Sequence, residues 1–115
     1  MKNQLLNSLI VDLKKASIKE NVKIWKRIAS DLEKPTKQRR IVNLSKIDRY
    51  AKNNDVIVVP GKVLSMGELN KKVTVAAYNF SGSAVQKITD SGSKTMMIPE
   101  LIKKNPKGSK VRIMG

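Results

Sequence analysis

The fold has to accommodate two aliphatic segments near the middle of the chain, VIVVPGKVL at residues 56–64 and VTVAAY at residues 73–78. The first is rich in the β-branched residues that favour strands, and the second alternates as a strand does. Because Pro60 and Gly61 interrupt the first segment, we predict two short strands there, separated by a bend. The middle of the chain is therefore expected to contribute strands to a sheet.

Amphipathic helices are predicted before these strands. The apolar face of the first helix comprises Leu5, Leu6, Leu9, Ile10, Leu13 and Ala16. SIKE, from Ser17 to Glu20, has the pattern of a capping box, which predicts that a second helix begins there and ends at Pro35. A further helix is expected after Ser45, which would cap it together with Asp48.

Shorter elements follow in the C-terminal half. The pattern predicts a helix closed by Gly92, a strand over TMMI at residues 95–98, and a helix from Pro99 to about Lys104. This order of elements predicts a mixed α/β fold in one compact domain. Its expected parts are an N-terminal helical arm at 1–33, a basic linker at 34–44 and a mixed α/β core at 45–115.

The net charge restricts the partners of the protein. The chain has 24 Lys and Arg residues against 9 Asp and Glu, a net charge of +15 at pH 7. Such an excess is typical of proteins that contact nucleic-acid phosphates, although a basic protein whose charges only face solvent is the alternative.

The longest apolar run, at 56–60, is far shorter than the ~20 residues that span a bilayer. No signal peptide is recognisable, so we expect a cytoplasmic protein without a membrane partner.

Two segments concentrate this charge. KPTKQRR contains four basic residues and no acidic one: Lys34, Lys37, Arg39 and Arg40. Like charges repel one another, so we expect an extended segment that a phosphate backbone would neutralise, with a plain surface linker as the alternative. A basic stripe on the predicted second helix comprises Lys19, Lys23, Lys26 and Arg27. Phosphate contact and a solvated face both remain open for this stripe.

Residues for catalysis are scarce. The chain has no histidine and no cysteine, which removes the common general bases, thiol nucleophiles and zinc ligands. SGSK at residues 91–94 matches S-x-x-K without its companion motifs, and no P-loop follows Gly61 or Gly67. We therefore predict no enzymatic activity, no metal or cofactor, and no small-molecule substrate.

Few aromatic residues are present for base recognition. Tyr78 and Phe80 are too few to form the aromatic platform of a base-stacking RNA-binding sheet. Many lysines together with Gly/Ser turns suit the recognition of folded RNA through its phosphates and its shape.

NFSGSA at residues 79–84 indicates a helix N-terminus that exposes backbone N–H groups to an anion. Ser81 can cap this helix, Gly82 leaves room for a phosphate, and Ser83 adds a hydroxyl group. Three lysines lie nearby in the sequence: Lys71, Lys72 and Lys87. The alternative is an ordinary helix cap that contacts only water.

The same region resembles a known family. The matching positions are Lys62, Val63, Leu64, Ser65, Gly67, Leu69, Val73, Val75, Phe80, Ser81, Ala84, Ile88 and Gly92. They are similar to the signature shared by bacterial large-subunit ribosomal protein fifteen and its archaeal and eukaryotic relative, protein eighteen-e. VNLSKI at 42–47, the short chain and the N-terminal helix pair resemble the eighteen-e branch, although Ser30, Thr36 and Arg40 depart from its pattern. The resemblance implies an irregular superhelix of β-β-α turns and a structural role on the ribosomal RNA of an archaeal large subunit.

We therefore predict a structural constituent of the large ribosomal subunit. It would bind and stabilise folded ribosomal RNA through phosphate and shape contacts, beside neighbouring large-subunit proteins. The alternatives are an architectural DNA-binding protein and an RNA-modifying enzyme or its accessory subunit. The predicted RNA-binding residues are Lys34, Lys37, Arg39, Arg40, Lys46, Arg49, Lys62, Lys71, Lys72, Ser81, Gly82, Ser83, Lys87, Lys107, Lys110 and Arg112.

Overall fold

A computed structural model describes residues 4–35 and 39–115. Within these residues the chain forms five helices and five strands. The helices are α1 (Gln4–Glu20), α2 (Ile24–Glu33), α3 (Leu44–Tyr50), α4 (Gly82–Asp90) and α5 (Ile98–Lys104). The strands are β1 (Arg40–Asn43), β2 (Val56–Leu64), β3 (Thr74–Phe80), β4 (Lys94–Met97) and β5 (Val111–Ile113). The predicted mixed α/β class is confirmed, and the implied β-β-α superhelix stays a prediction.

All the strand pairs are parallel, and β2 is the central strand. Strands β5 and β1 share one edge of β2, with β5 beside residues 56–58 and β1 beside residues 61–64. Strand β3 pairs with the other edge, and β4 lies beyond it. The carboxyl ends of β1, β2, β3 and β4 therefore lie at the same end of the sheet.

The prediction of two strands around a Pro60–Gly61 bend is wrong, because β2 is one continuous strand. Val59 pairs with Ala77 and Lys62 with Asn79, so two residues of β2 face a single residue of β3. The extra residue is accommodated as a β-bulge. Such a bulge tolerates a proline, which lacks the N–H group needed for regular pairing.

Helices cover both faces of the sheet. Ile57, Val59 and Val75 belong to a core cluster shared with α3 and α4. Val58 and Ala76 point to the opposite face and belong to a second cluster, shared with α1, α2 and α5. Burial on both faces explains why the strands read as nearly continuous apolar runs. The helices of the predicted N-terminal arm thus pack against the sheet.

The capping-box prediction at SIKE is wrong. Helix α1 continues through Glu20, and α2 begins at Ile24. Asn21 adopts a left-handed φ of 54°, its N–H donates to the Ile18 carbonyl at 3.3 Å, and the Val22 N–H donates to the Ser17 carbonyl at 3.1 Å. These two bonds form a Schellman motif, so SIKE is the last turn of α1.

The predicted cap at Ser45 is also wrong, since Ser45 lies inside α3. Its backbone N–H donates to the Met66 carbonyl at 3.0 Å, and the Asp48 carboxylate accepts from the Asn70 N–H at 2.8 Å. Both residues therefore attach α3 to the chain segment that follows β2. Among the described residues, no helix is both long and apolar enough to cross a membrane.

Candidate nucleic-acid interface

The basic segment that joins α2 to β1 is attached at both ends to one carboxylate. Asp31 is a residue of α2 whose side chain is only 9% exposed. Its Oδ1 lies 3.0 Å from Lys34 Nζ, and its Oδ2 lies 3.1 Å from Arg40 Nη2. Arg40 Nε also donates to Oδ2, at 3.2 Å. Lys37, the fourth basic residue of the segment, lies outside the described residues.

Arg40 borders two adjacent surface hollows. The first, of about 350 Å³, is lined by Lys23, Ile24, Arg27, Arg40, Val111 and Ile113. The second, of about 260 Å³, is lined by Arg39, Arg40, Ile41, Gly61, Lys62, Tyr78 and Asn79. The predicted basic stripe is divided, since Lys19 lies in α1, Lys23 is the N-cap of α2, and Lys26 and Arg27 lie inside α2. The structure places Lys23 and Arg27 of this stripe beside the basic segment and the end of β2. We call Lys23, Arg27, Arg39, Arg40 and Lys62 the basic ridge.

Gly61 allows the two strands under this ridge to approach closely. It pairs with Arg40 in the β1–β2 ladder. A Cβ atom at Gly61 would lie 1.9 Å from the Arg40 carbonyl oxygen, which is impossible without moving backbone. A glycine is therefore required where β1 carries Arg40 across the edge of β2.

Lys23 and Arg27 were not among the predicted RNA-binding residues, although their stripe is visible in the sequence. Their spacing of four residues places them on one helix face. Nothing in the local sequence indicates that Arg40 lies next to that face. Within the described residues, the Lys23, Arg27 and Lys62 side chains form no hydrogen bond or ion pair.

The lysines before β3 lie at the opposite end of the sheet. Lys71 Nζ donates to the carbonyl oxygens of Asp48 and of Ala51, the latter at 2.6 Å, and so binds the C-terminal turn of α3. Lys72 is exposed and lines a hollow of about 270 Å³ with Lys94, which was not among the predicted residues. Adjacent lysines thus have different roles, since one holds a helix end and the other faces solvent.

The predicted cap of α4 is confirmed. Ser81 Oγ accepts a hydrogen bond from the Ala84 N–H at 3.1 Å. Gly82 is exposed, and no atom lies within 4 Å of the position of an added Cβ. The Ser83 hydroxyl donates to Ser65 Oγ at 2.9 Å. This entrance lies at the same end of the sheet as Lys62, because α4 follows β3.

The Lys87 side chain contacts the loop that follows β2. Its Nζ donates to the Ser65 carbonyl at 3.1 Å and to the Gly67 carbonyl at 3.0 Å, and lies 3.8 Å from Glu68. It therefore connects α4 to the loop after β2.

The remaining predicted residues are distributed around the other edges. Lys46 is half-buried on α3, and the Arg49 guanidinium lies 5.4 Å from the Tyr50 ring centre. Lys107 Nζ is 3.4 Å from Glu20, and the side chain is 67% exposed. Lys110, at a turn with φ of 61°, is exposed. The structure does not bring these residues into the basic ridge.

Arg112 on β5 joins the chain end to the loop after α3. Its Nη1 donates to the Tyr50 carbonyl and to Asp55 Oδ2, both at 3.0 Å. A hydrogen bond from the Lys52 backbone N–H, aided by the Arg112 guanidinium, keeps the pKa of Asp55 below its ordinary value of 3.8. Burial opposes this effect without outweighing it.

Comparison with known proteins identifies a family of related sequences. A family model that describes ribosomal proteins 50S-L15 and 50S-L18e together with their 60S counterpart matches residues 21–96. The chain is 54% identical over 112 residues to large ribosomal subunit protein eL18 of Methanosphaerula palustris, which covers 97% of this chain and 93% of that protein. The protein of the same name from Archaeoglobus fulgidus is 48% identical to this chain over 112 residues, which cover 97% of this chain and 96% of that protein. The protein of the same name from Pyrobaculum aerophilum is 46% identical over 112 residues, which cover 97% of this chain and 92% of that protein.

These archaeal relatives match this chain over nearly its whole length. The family model covers α2, α3, α4, β1, β2, β3 and all but the last residue of β4. The resemblance noted in the sequence is thereby confirmed. The chain belongs to the family of ribosomal proteins 50S-L15 and 50S-L18e and their 60S counterpart.

Proposed function

We infer that this protein is a non-catalytic structural constituent of the large ribosomal subunit in the cytoplasm. It binds folded ribosomal RNA and stabilises its packing beside neighbouring large-subunit proteins. The names of its relatives support the ribosomal assignment. The observation that carries the RNA-binding assignment is the basic ridge, where Arg40 connects the cations of α2 to those of β1 and β2.

The ridge suits phosphate binding because three of its five cations are exposed. Lys23, Arg27 and Lys62 are exposed and have no acidic partner among the described residues. Binding a phosphate therefore does not require an existing ion pair to break. Released counterions then favour association in a salt-dependent manner.

The sixteen residues predicted from the sequence are retained as proposed RNA contacts, in two groups. The residues whose side chains bind carbonyl oxygens 20 or more residues away along the chain are expected to act mainly by shaping the surface: Lys71, Lys87 and Arg112. The others are proposed to reach phosphates directly: Lys34, Lys37, Arg39, Arg40, Lys46, Arg49, Lys62, Lys72, Ser81, Gly82, Ser83, Lys107 and Lys110. Lys23, Arg27 and Lys94 are added to the second group.

The experiment combines sedimentation with binding. In a sucrose gradient of native cell extract, the protein should sediment with large subunits and remain there at moderate salt. The triple variant Lys23→Gln, Arg27→Gln, Lys62→Gln should lower the salt dependence of binding to purified large-subunit ribosomal RNA by up to ~0.9 for each phosphate that is no longer neutralised. The matched control is Lys15→Gln, Lys103→Gln, Lys104→Gln, which removes three exposed charges elsewhere.

Two outcomes would contradict the proposal. Equal salt slopes for the two triple variants would mean that the ridge has no specific role. Binding to duplex DNA as tight as to ribosomal RNA, with the protein absent from large subunits, would favour an architectural DNA-binding protein.

A further inference from the structure

The second hollow of the basic ridge adjoins an apolar groove, because Tyr78 and Asn79 border both. The apolar groove, of about 440 Å³, is otherwise lined by Leu5, Leu9, Met97 and the start of α5. We propose that this composite groove binds one unpaired base of RNA, with the adjoining phosphate on the basic ridge. The proposal rests on the proposed function and adds a base contact to recognition by phosphates and shape.

The groove has the chemistry that a nucleotide requires. Its size lies within the range of about 300–1,000 Å³ that is typical of small-molecule sites. Its apolar side is accessible, since Leu5 is 81% and Met97 46% exposed. Lys62 provides an exposed cation on the other side. An apolar protein side chain would use the first part and leave the cation unmatched, so charge complementarity favours a nucleotide.

Tyr78 supplies a surface for stacking. Its ring is half-buried and packs at the border of the second core cluster. The Arg39 guanidinium lies 5.8 Å from the ring centre. Arg39 is restrained by a second contact, in which its Nε donates to the Lys34 carbonyl at 3.2 Å. Tyrosine rings and planar guanidinium groups are both surfaces on which unpaired bases stack.

Asn79 supplies a polar group at the junction of the two hollows. Its Oδ1 accepts from the Phe80 backbone N–H at 2.9 Å, which fixes the orientation of the amide. The Nδ2 group donates to no residue that the structure describes, and the side chain is exposed. It is therefore available to donate to the edge of a base or to a sugar oxygen.

A second tyrosine provides an internal control. Tyr50 also has an arginine near its ring, with Arg49 at 5.4 Å, and it is 52% exposed. Tyr50 borders neither the apolar groove nor the second hollow of the basic ridge. If an exposed tyrosine–arginine pair were sufficient to bind a base, binding would occur at both tyrosines. If the groove is also required, binding occurs only at Tyr78.

The test is an NMR titration of the full ¹⁵N-labelled chain with adenosine 5′-monophosphate, and separately with ribose 5-phosphate. With the nucleotide, the amide signals of Tyr78, Asn79 and Met97 should shift and saturate. With ribose 5-phosphate, shifts should be confined to the basic ridge. Tyr78→Leu should weaken nucleotide binding at least about fivefold, the lower end of the effect of removing one stacking ring. Tyr78→Phe and Tyr50→Leu should bind like the wild type.

Equal shifts with the two ligands in the wild-type chain would overturn the base site, and this result does not depend on any variant folding. Equal weakening by Tyr78→Leu and Tyr50→Leu would also overturn it. A Tyr78→Leu chain that binds nucleotide normally but no longer joins large subunits would show that the groove holds a neighbouring protein instead. The proposed function is tested separately, by the salt dependence of ribosomal RNA binding in the ridge triple variant and its matched control.

Discussion

The guanidinium of Arg40 donates from Nε to Asp31 Oδ2, and its Nη2 lies 3.1 Å from the same oxygen. Lys34 occupies the other oxygen of this carboxylate. One nearly buried acidic side chain thus holds both ends of the basic segment and directs Arg40 to the border between two hollows. Asp31 therefore helps to position the part of the basic ridge that Arg40 forms.

Asp31→Asn should reduce the free energy of unfolding by about 1–2 kcal/mol, because the charged carboxylate that binds Lys34 and Arg40 is replaced by a neutral amide. The loss is limited because both cations keep access to water. Urea denaturation measures this change. The control is Glu33→Gln on the same helix, whose pair with Lys14 is 47% exposed on both sides and should contribute less than about 1 kcal/mol. An equal loss in the two variants would show that Asp31 has no special role.

Gly61→Ala should destabilise the protein by about 1–3 kcal/mol, as is typical of overpacking. The added methyl group would collide with the Arg40 carbonyl, which belongs to the backbone of β1 and cannot rotate away. Thermal unfolding compares this variant with Gly82→Ala, where the added Cβ meets no atom within 4 Å. We expect the Gly82 variant to be as stable as the wild type or slightly more stable. Similar melting temperatures for the two variants would contradict the close approach of β1 to β2.

Lys71→Met and Lys72→Met should have different effects, although the residues are adjacent. Loss of the Lys71 ammonium leaves two carbonyl oxygens at the end of α3 without their donor. This change should cost about 1–3 kcal/mol in unfolding free energy. The Lys72 variant should retain stability and lower the salt slope of ribosomal RNA binding by up to ~0.9. Urea denaturation and salt-dependent binding distinguish the two roles, and reversed effects would contradict them.

Stability should fall in acid partly through Asp55. Because its pKa is lower in the folded state than the ordinary 3.8, the unfolded chain takes up the proton first as the pH falls. The stabilisation is therefore complete above about pH 3.8 and is lost as the pH falls through the lower folded-state value.

Unfolding curves at pH 6 and pH 3 should show a smaller acid-induced loss for Asp55→Asn than for the wild type. Arg112→Met should lie between them, since the Lys52 N–H remains as a donor. A full acid-induced loss in Asp55→Asn would mean that other carboxylates account for the acid sensitivity.

Local features of the fold were predictable from the sequence. The Ser81 cap depends on a hydrogen bond to a residue only three positions away, and Gly92 ends α4 with a φ of +82°. Pro99 lies in the first turn of α5. The excess of basic residues, which indicated a nucleic-acid partner, is a property of composition alone. The Ser17 and Ser45 predictions failed because the same short patterns also occur in the last turn and in the interior of a helix.

Only the tertiary structure decided which basic side chains remain accessible. Lys71 and Lys87 bind carbonyl oxygens 20 or more residues away, and Arg112 binds one 62 residues away. These contacts form only when helices pack on both faces of the parallel sheet. The net charge of the chain is the same with or without these contacts, so it does not reveal them. The junction of Arg40 with the α2 stripe, and the groove beside Tyr78, arise in the same way. Sequence order determines contacts within a turn or two, whereas contacts between layers exist only once the layers have packed.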